Sequence, residues 1–162
     1  MEILDLYDNQ GKLLGKTIER GNKNLAENEN IKLTIVWIKC KNKYLIQLTS
    51  KQKGSVFAST GGHVQSGKTS LEQAILELEE ELNLHTKAEN FKFLGNIFEK
   101  NAIFDVFLIE DDSLDKYDFK LQEEEVEDVY WLDKSEIEKL IEQNKVRIST
   151  AKQYDMFIKN KN

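Results

Sequence analysis

The stretch that decides the fold of this chain runs from Gly62 to Leu84 and reads GHVQSGKTSLEQAILELEEELNL. Its second half has the periodicity of an amphipathic helix from about Ser70 to Leu82, with its apolar residues inside one arc of about 100°. Glu77, Glu80 and Glu81 share another face of that helix. The sequence therefore predicts a helix that packs on a core and presents three carboxylates together.

Local residues mark both ends of the predicted helix. Thr69 suits the N-cap position, and Glu72 stands three residues later, where its side chain completes a capping box. Asn83 follows the last helical residue, and asparagine is the residue that a left-handed C-cap accepts after glycine. The helix is therefore predicted to begin at about Ser70 and to end at about Leu82.

The three glutamates form an acidic cluster without nearby cations in the sequence. Carboxylates three or four residues apart on a helix repel each other by a few tenths of a kcal/mol. No Lys or Arg stands three or four residues from any of them. A solvated acidic face is the alternative, and Glu72 and Glu79 fit it, with Lys68 placed to pair with Glu72. The missing partners favour a divalent cation with oxygen ligands, Mg²⁺ or Mn²⁺.

Composition limits the classes of partner. The 162 residues fit one domain spanning 1–162, and the net charge of −6 gives no basic surface for a nucleic-acid polymer. Because Arg20 and Arg147 are the only arginines, phosphate contacts are expected mainly from lysines and backbone N–H groups. The single cysteine, Cys40, excludes an internal disulfide and predicts a buried, inert thiol. Without a signal-like or membrane-spanning stretch, we expect a cytoplasmic protein with no membrane partner.

Turn signals and apolar patterns predict strands with interspersed helices. An N-terminal hairpin covers residues 2–20, and a polar loop with some helix follows at 21–30. The other predicted strands are 31–40, 44–48, 56–59, 91–100, 102–110 and 126–132, and the later helices are 133–143 and 150–158. This order predicts an α+β fold, or a layered α/β/α sandwich, with a mixed sheet.

The acidic stretch resembles a known motif. It is similar to the Nudix box, G-x5-E-x7-R-E-U-x-E-E-x-G-U with U aliphatic, in the form Gly62-x5-Lys68-x7-Leu76-Glu77-Leu78-x-Glu80-Glu81-x-Asn83-Leu84. The flanking residues 61–64, 3–15, 44–47 and 124–131 also look like those of the family, in the subgroup that contains isopentenyl-diphosphate isomerase. The resemblance covers nearly the whole chain and implies a Nudix-type α/β/α sandwich with a mixed β-sheet and an N-terminal β-hairpin.

Three residues depart from the family pattern. Lys68 replaces the first Glu of the box, Leu76 the Arg and Asn83 the Gly. In the family, that Glu and Arg help to orient the catalytic helix and are not the metal ligands, so their joint loss removes a supporting charged pair. Thr49 also stands where members of the subgroup often carry Arg, which weakens an inherited substrate assignment.

The resemblance implies a hydrolase of a diphosphate linkage with Mg²⁺ or Mn²⁺ as its cofactor. The substrate would be a nucleoside diphosphate joined to another group, or a related organic pyrophosphate. Glu80 and Glu81 match the main metal ligands, and Glu77 matches a further ligand or the base that takes a proton from water. A later carboxylate often joins them; we expect Glu125 there, with Glu124 second, and a solvated loop is the alternative for both.

Substrate contacts are predicted around the glycines that precede the helix. The backbone groups of Gly61 and Gly62 can approach phosphate or metal closely because glycine has no side chain. His63 follows them and is predicted either to contact substrate or to stabilise its surroundings. Lys51 and Lys53 are candidate phosphate contacts, and plain surface charge is their alternative role.

Two other functions fit parts of the pattern. An isomerase of the isopentenyl-diphosphate type would need a cysteine at Gly61 and more histidines than His63 and His85, so it is excluded. A degenerate domain that binds nucleotides or regulates is the main alternative; Lys68 and Leu76 favour it and the intact glutamates oppose it. ADP-ribose, nucleoside triphosphates, dinucleotide cofactors and non-nucleotide pyrophosphates all remain open as substrates. The exposed hairpin edge makes a homodimer possible.

Overall fold

The computed structural model describes residues 1–161, and its elements follow the predicted order. The first two strands are β1 (Ile3–Tyr7) and β2 (Leu13–Glu19). The later elements are β3 (Ile31–Cys40), β4 (Lys43–Thr49), β5 (Phe57–Ala58), β6 (Thr60–His63), α1 (Ser70–Leu82), β7 (Lys92–Glu99), β8 (Ala102–Glu110), β9 (Val126–Leu132), α2 (Lys134–Glu142) and α3 (Ile148–Gln153). A π-helical segment, Tyr154–Ile158, continues α3.

The N-terminal hairpin predicted for residues 2–20 is confirmed as a separate two-stranded antiparallel sheet. Its first strand is fixed to the loop that precedes α1. The carboxylate of Asp5 accepts hydrogen bonds from Ser66 Oγ at 2.6 Å and from the Gly67 backbone N–H at 3.0 Å. The hairpin therefore lies beside the glycine-rich stretch that leads into the acidic helix.

The main sheet is mixed, as predicted, and its centre is a hairpin whose strands diverge. β3 pairs with β4 only at Lys39–Tyr44 and Cys40–Lys43, next to the turn. Beyond those pairs, β6 adds to β3 while β5 and β9 add to β4. On its other edge β3 pairs in parallel with β8, and β8 pairs antiparallel with β7. The segment 57–63 thus crosses from β4 to β3 and enters the gap between them.

Alternating residues of β3 face two different helical layers. Val36 and Ile38 pack in a core with Leu78 and other apolar residues of α1. Ile35 and Trp37 point the other way, into a second core that contains Ile137 of α2 together with Tyr154 and Ile158. Because side chains alternate across a strand, one sheet serves both cores. The architecture is the predicted α/β/α sandwich.

The structure differs from the sequence predictions in three segments, one of which is Thr60–His63, where β6 lies outside the predicted strands because it pairs with β3. Residues 21–30 contain no helix, because their few apolar side chains offer no stripe to bury. The helix predicted for 150–158 begins two residues earlier and changes to π-helical geometry at Tyr154. Cys40 is buried on the α1 side of the sheet, as predicted. None of the described helices is long and apolar enough to cross a membrane.

Candidate active site

Helix α1 begins and ends where the sequence predicts. Thr69 Oγ1 accepts the Glu72 N–H at 3.1 Å, and the Glu72 carboxylate accepts the Thr69 N–H at 2.9 Å, which confirms the capping box. Asn83 adopts φ 55° and closes the C-terminus, with its N–H donated to Glu79 O at 3.0 Å. The helix that carries the acidic cluster is therefore fixed at both ends by local contacts.

A loop from a distant part of the chain binds the C-terminal end of α1. The Lys120 N–H donates to Leu82 O at 3.2 Å, and the Gln122 N–H donates to Glu81 O at 3.0 Å. These bonds satisfy carbonyl groups that a helix end leaves without partners. They also bring the following acidic residues, 123–125, next to the helix.

Glu124 and Glu125 differ in how the loop presents them. The Glu124 carbonyl accepts Ser50 Oγ at 2.7 Å, and the Glu124 side chain is exposed. Glu125 is half-buried and forms an ion pair with Lys53 at 3.5 Å. The charge of Glu125 also acts on Glu81 and contributes to raising the pKa of that carboxyl. Of the two late carboxylates, Glu125 is the one that the fold brings towards the helix glutamates.

The side chains of Glu77 and Glu81 are hydrogen-bonded to each other on the α1 side of the sheet. Glu81 is only 4% exposed, and Gln47 Nε2 lies 3.4 Å from its Oε1. Burial is the main cause that raises the pKa of both groups, and a hydrogen bond to Glu77 raises the pKa of Glu81 further. Both shifts act in the same direction, and they favour a proton shared between the two carboxyl groups.

The carboxyl groups of α1 are of the kind that binds a divalent cation, although Glu77, Glu80 and Glu81 do not all point to one place. Carboxylates in contact, one buried and one half-buried, are stabilised by a proton or a cation between them, and oxygen ligands suit Mg²⁺ or Mn²⁺. Glu80 lies one turn away on the exposed side of α1. Within residues 1–161, no three Asp, Glu, His or Cys side chains stand together at metal-binding geometry. Glu77 and Glu81 are thus the prearranged part of the predicted ligand set.

A cleft lies beside Gly62, on which the Glu77 carboxylate packs, and has a volume of about 320 Å³. Five of the predicted site residues line it: Lys53, Gly61, Gly62, His63 and Glu125. Lys51 is exposed and is not among the described residues that line it. Larger cavities, of about 490 Å³ at the β3–β4 turn and about 520 Å³ between β9 and α2, contain none of these residues.

Both arginines of the chain line the same cleft, and the sequence did not indicate this. Arg20 directly follows β2, and Arg147 directly precedes α3. Arg20 is paired with Glu2 at 2.8 Å, whereas Arg147 has no carboxylate partner among residues 1–161. Two rare arginines in one acidic chain were the only available signal. With Lys53, they place three cationic side chains along a cleft that Glu125 also lines.

The two glycines of β6 lie within the strand, and a Cβ at either position would come too close to atoms already there. A Cβ at Gly61 would overlap the Thr34 carbonyl oxygen and stand 2.8 Å from Ile35 Cδ1. A Cβ at Gly62 would overlap Oε1 of Glu77 and stand 2.9 Å from its Oε2. Gly61 is therefore required by the sheet, and Gly62 makes the space in which the Glu77 carboxylate lies.

His63 is the last residue of β6, and it is half-buried rather than exposed in a loop. Burial, with a smaller contribution from the positive charges of Arg20 and Lys53, lowers the pKa of His63 to about 4. The imidazole is therefore neutral near pH 7. It can donate or accept a hydrogen bond in the cleft but adds no charge to it.

A buried polar network attaches α3 to the strand that leads to the glycines. Ser59 Oγ donates to Gln153 Oε1 at 2.7 Å, and the same oxygen accepts Trp37 Nε1 at 3.0 Å. The Ser59 N–H donates to Thr150 Oγ1 at 3.2 Å. These contacts hold the first turn of α3, and Arg147 with it, against the cleft.

Comparisons with solved structures show the same fold in several proteins. A protein of Deinococcus radiodurans is 20% identical, with a TM-score of 0.82 over 97% of this chain and 99% of its own. The E. coli dihydroneopterin triphosphate pyrophosphohydrolase is 16% identical, with a TM-score of 0.60 over 80% of this chain and 96% of its own. At these identities, the likeness establishes the fold alone.

A third structure is that of a bifunctional NMN adenylyltransferase/ADP-ribose pyrophosphatase from Francisella tularensis, complexed with AMP and a Mn ion. It is 16% identical, with a TM-score of 0.62 over 78% of this chain and 40% of its own. No curated protein matches the chain.

The family model of the NUDIX domain matches residues 32–153. That region contains nearly all of β3, the strands β4 and β6, the acidic helix α1 and the loop that carries Glu125. Because it covers more than half of the sequence, the chain belongs to the Nudix family, whose members are hydrolases that act on pyrophosphate bonds.

Proposed function

We propose that this chain hydrolyses a diphosphate linkage in a nucleotide-like small molecule and uses Mg²⁺ or Mn²⁺ bound by its glutamates. The observation that carries the proposal is the contact of the buried Glu81 with the half-buried Glu77, beside a cleft lined by Gly62 and by cations. A structural core would not normally contain two carboxyl groups in contact, because burial penalises both. Their position is explained if they serve a cation and a phosphate substrate.

The four glutamates take different parts in this proposal. Glu81 and Glu77 would hold the metal from the base of the cleft, with Glu80 and Glu125 completing the ligand set from the helix surface and the late loop. Bound Mg²⁺ or Mn²⁺ would supply positive charge near the phosphate oxygens and the attacking water. Glu77, whose carboxylate borders Gly62, would serve either as a metal ligand or as the base that takes a proton from water.

The cations of the cleft would bind the phosphate groups. Lys53 stands beside Glu125, and Arg20 stands beside Glu2, so each is held in place by a carboxylate. Arg147 lacks such a partner among residues 1–161, and its planar guanidinium suits two oxygens of one phosphate. The apolar wall of the cleft, Leu33, Ile35 and Phe104, is left for the organic part of the substrate.

The proposal is tested by turnover on a panel of nucleoside triphosphates, ADP-ribose, dinucleotides and non-nucleotide pyrophosphates, with Mg²⁺ and with Mn²⁺. We expect metal-dependent release of phosphate products, which disappears in the Glu80→Gln/Glu81→Gln variant. Glu79→Gln, on the same helix but outside the site, is the control and should keep the activity. Absence of turnover in folded protein that binds metal would instead support the degenerate nucleotide-binding domain.

Arg147→Gln is expected to raise KM by about 10–100-fold while changing kcat little, because it removes a charged hydrogen bond to a substrate phosphate. The control is Lys145→Gln, which changes the net charge equally at an exposed residue outside the cleft. Steady-state kinetics on the best substrate of the panel provides both constants. An equal effect of the two substitutions would show that Arg147 acts only through general electrostatics.

Further parts of the proposal concern classification and assembly. The N-terminal hairpin, packed against the loop before α1, supports the subgroup that contains isopentenyl-diphosphate isomerase. Leu13 on its outer strand is 65% exposed, which supports a homodimer through this hairpin. We also propose that residues 1–162 act as one domain on small molecules in the cytoplasm, without nucleic-acid polymers or membranes.

A further inference from the structure

We infer that Gln73 is a positioning residue that holds the Glu77 carboxylate against the glycine strand, an inference that rests on the proposed function. Gln73 lies one helical turn before Glu77 and is 0% exposed. Its Nε2 donates to Glu77 Oε1 at 2.9 Å, and its Oε1 accepts the Gln65 N–H at 3.1 Å. One buried amide therefore joins the end of β6 to the carboxylate.

The two hydrogen bonds restrict Glu77 in a way that a carboxylate alone could not achieve. The Gln65 N–H fixes the plane and direction of the Gln73 amide, and the amide then directs one oxygen of Glu77. Gly62 borders the same carboxylate on the side of the strand. Glu77 thus lies between an amide donor and a backbone surface, with Glu81 as its other hydrogen-bond partner.

The departures of this chain from the family pattern explain why such a residue is needed. Leu76 is apolar and can form no hydrogen bond to Glu77 through its side chain. Lys68 donates its backbone N–H to Gln65 O at 3.1 Å, and no contact of its side chain with Glu77 occurs in the described part of the chain. Gln73 is the neutral side chain that remains to orient Glu77.

The test is the affinity of the metal-free protein for Mn²⁺, measured by titration without substrate, in Gln73→Met and Gln73→Asn. Methionine keeps the volume but removes both hydrogen bonds, and asparagine is too short to form both. We expect each variant to bind Mn²⁺ about 10–100-fold more weakly, as for the loss of a residue that orients a metal ligand. Gln143→Met, at an exposed residue after α2, is the control and should bind normally.

The ratio of the changes in kcat and KM is a second measurement, and it would not shift if Gln73 only supported the fold. We expect the same variants to lose kcat more than they raise KM, because a misdirected Glu77 affects the reaction more than substrate binding. Full Mn²⁺ affinity in either folded variant would overturn the inference. A wild-type protein that binds no Mn²⁺ would overturn the proposed function itself, so the two failures are distinguishable.

Discussion

Glu81→Gln is expected to lower metal-dependent turnover by more than about 100-fold and, in the metal-free protein at neutral pH, to raise the free energy of unfolding by about 1–3 kcal/mol. Turnover falls because a metal ligand is lost, and this should exceed the effect of removing a residue that only supports a ligand. Stability rises because a neutral amide of the same shape replaces a buried carboxyl in contact with Glu77. Few substitutions are expected to improve stability while removing activity.

The gain in stability should depend on pH in a defined direction. Burial raises the pKa of Glu81 well above the value of 4.5 that applies to an unfolded chain. Between those two values the folded protein binds more protons than the unfolded chain, so the free energy of unfolding falls as pH rises above 4.5. Glu81→Gln removes this loss, and its advantage should therefore disappear at or below pH 4.5.

Urea denaturation across pH 4–8 in the presence of a chelator measures the effect on stability, and turnover with Mg²⁺ measures the effect on catalysis. Glu79→Gln, in the same helix with a more exposed side chain, should change neither quantity by much. A Glu81→Gln protein that is less stable than the wild type at neutral pH would contradict the description of Glu81 as a carboxyl whose ionised form is disfavoured by burial.

Gly61→Ala is expected to reduce stability, whereas Gly62→Ala is expected to reduce metal binding. Gly61→Ala forces a methyl group onto the backbone of Thr34, which cannot move without disrupting the β3–β6 pairing, so we expect a loss of about 1–3 kcal/mol in the free energy of unfolding. Gly62→Ala meets only the flexible end of Glu77. It should cost less than about 1 kcal/mol, because alanine also reduces the entropy of the unfolded chain.

The expected defect of Gly62→Ala lies in the metal site. Displacing the Glu77 carboxylate should weaken Mn²⁺ binding by about 10–100-fold, the same range as for a lost supporting contact. Urea denaturation and Mn²⁺ titration on both variants separate the two effects, and each variant is the control for the other. Normal Mn²⁺ affinity in Gly62→Ala would show that Glu77 does not need its present position.

The parts of the site that the sequence predicted depend on local contacts. The limits of α1 follow from Thr69, Glu72 and Asn83, which act on backbone groups within four residues. The shared face of the glutamates follows from helical geometry alone. The resemblance to the Nudix box added a fold with helices on both sides of a mixed sheet, which the structure confirms.

The remaining parts depend on contacts between distant residues. Arg20 and Arg147 reach one cleft because β2 and α3 lie at its two sides, and no local pattern encodes that arrangement. The sequence gives no sign that Gln73 differs from other helix residues; its role depends on its contacts with Gln65 and Glu77. The strand that ends at His63 lies outside the predicted strands, because it depends on pairing with β3 and its two glycines give no strand signal.

The parallel pairing of β3 with β8 has a consequence for the order in which this protein folds. Ile31 meets Ala102, so the centre of the sheet forms only after a long loop has closed, which is intrinsically slow. The edge strand β5 completes its pairing only when a still later segment joins it, since Phe57 pairs with Val146. The acidic helix contains its own caps and is able to form early, whereas Arg147 joins the cleft only with this later segment. A partly folded chain would therefore present its glutamates before Arg147 reaches the cleft.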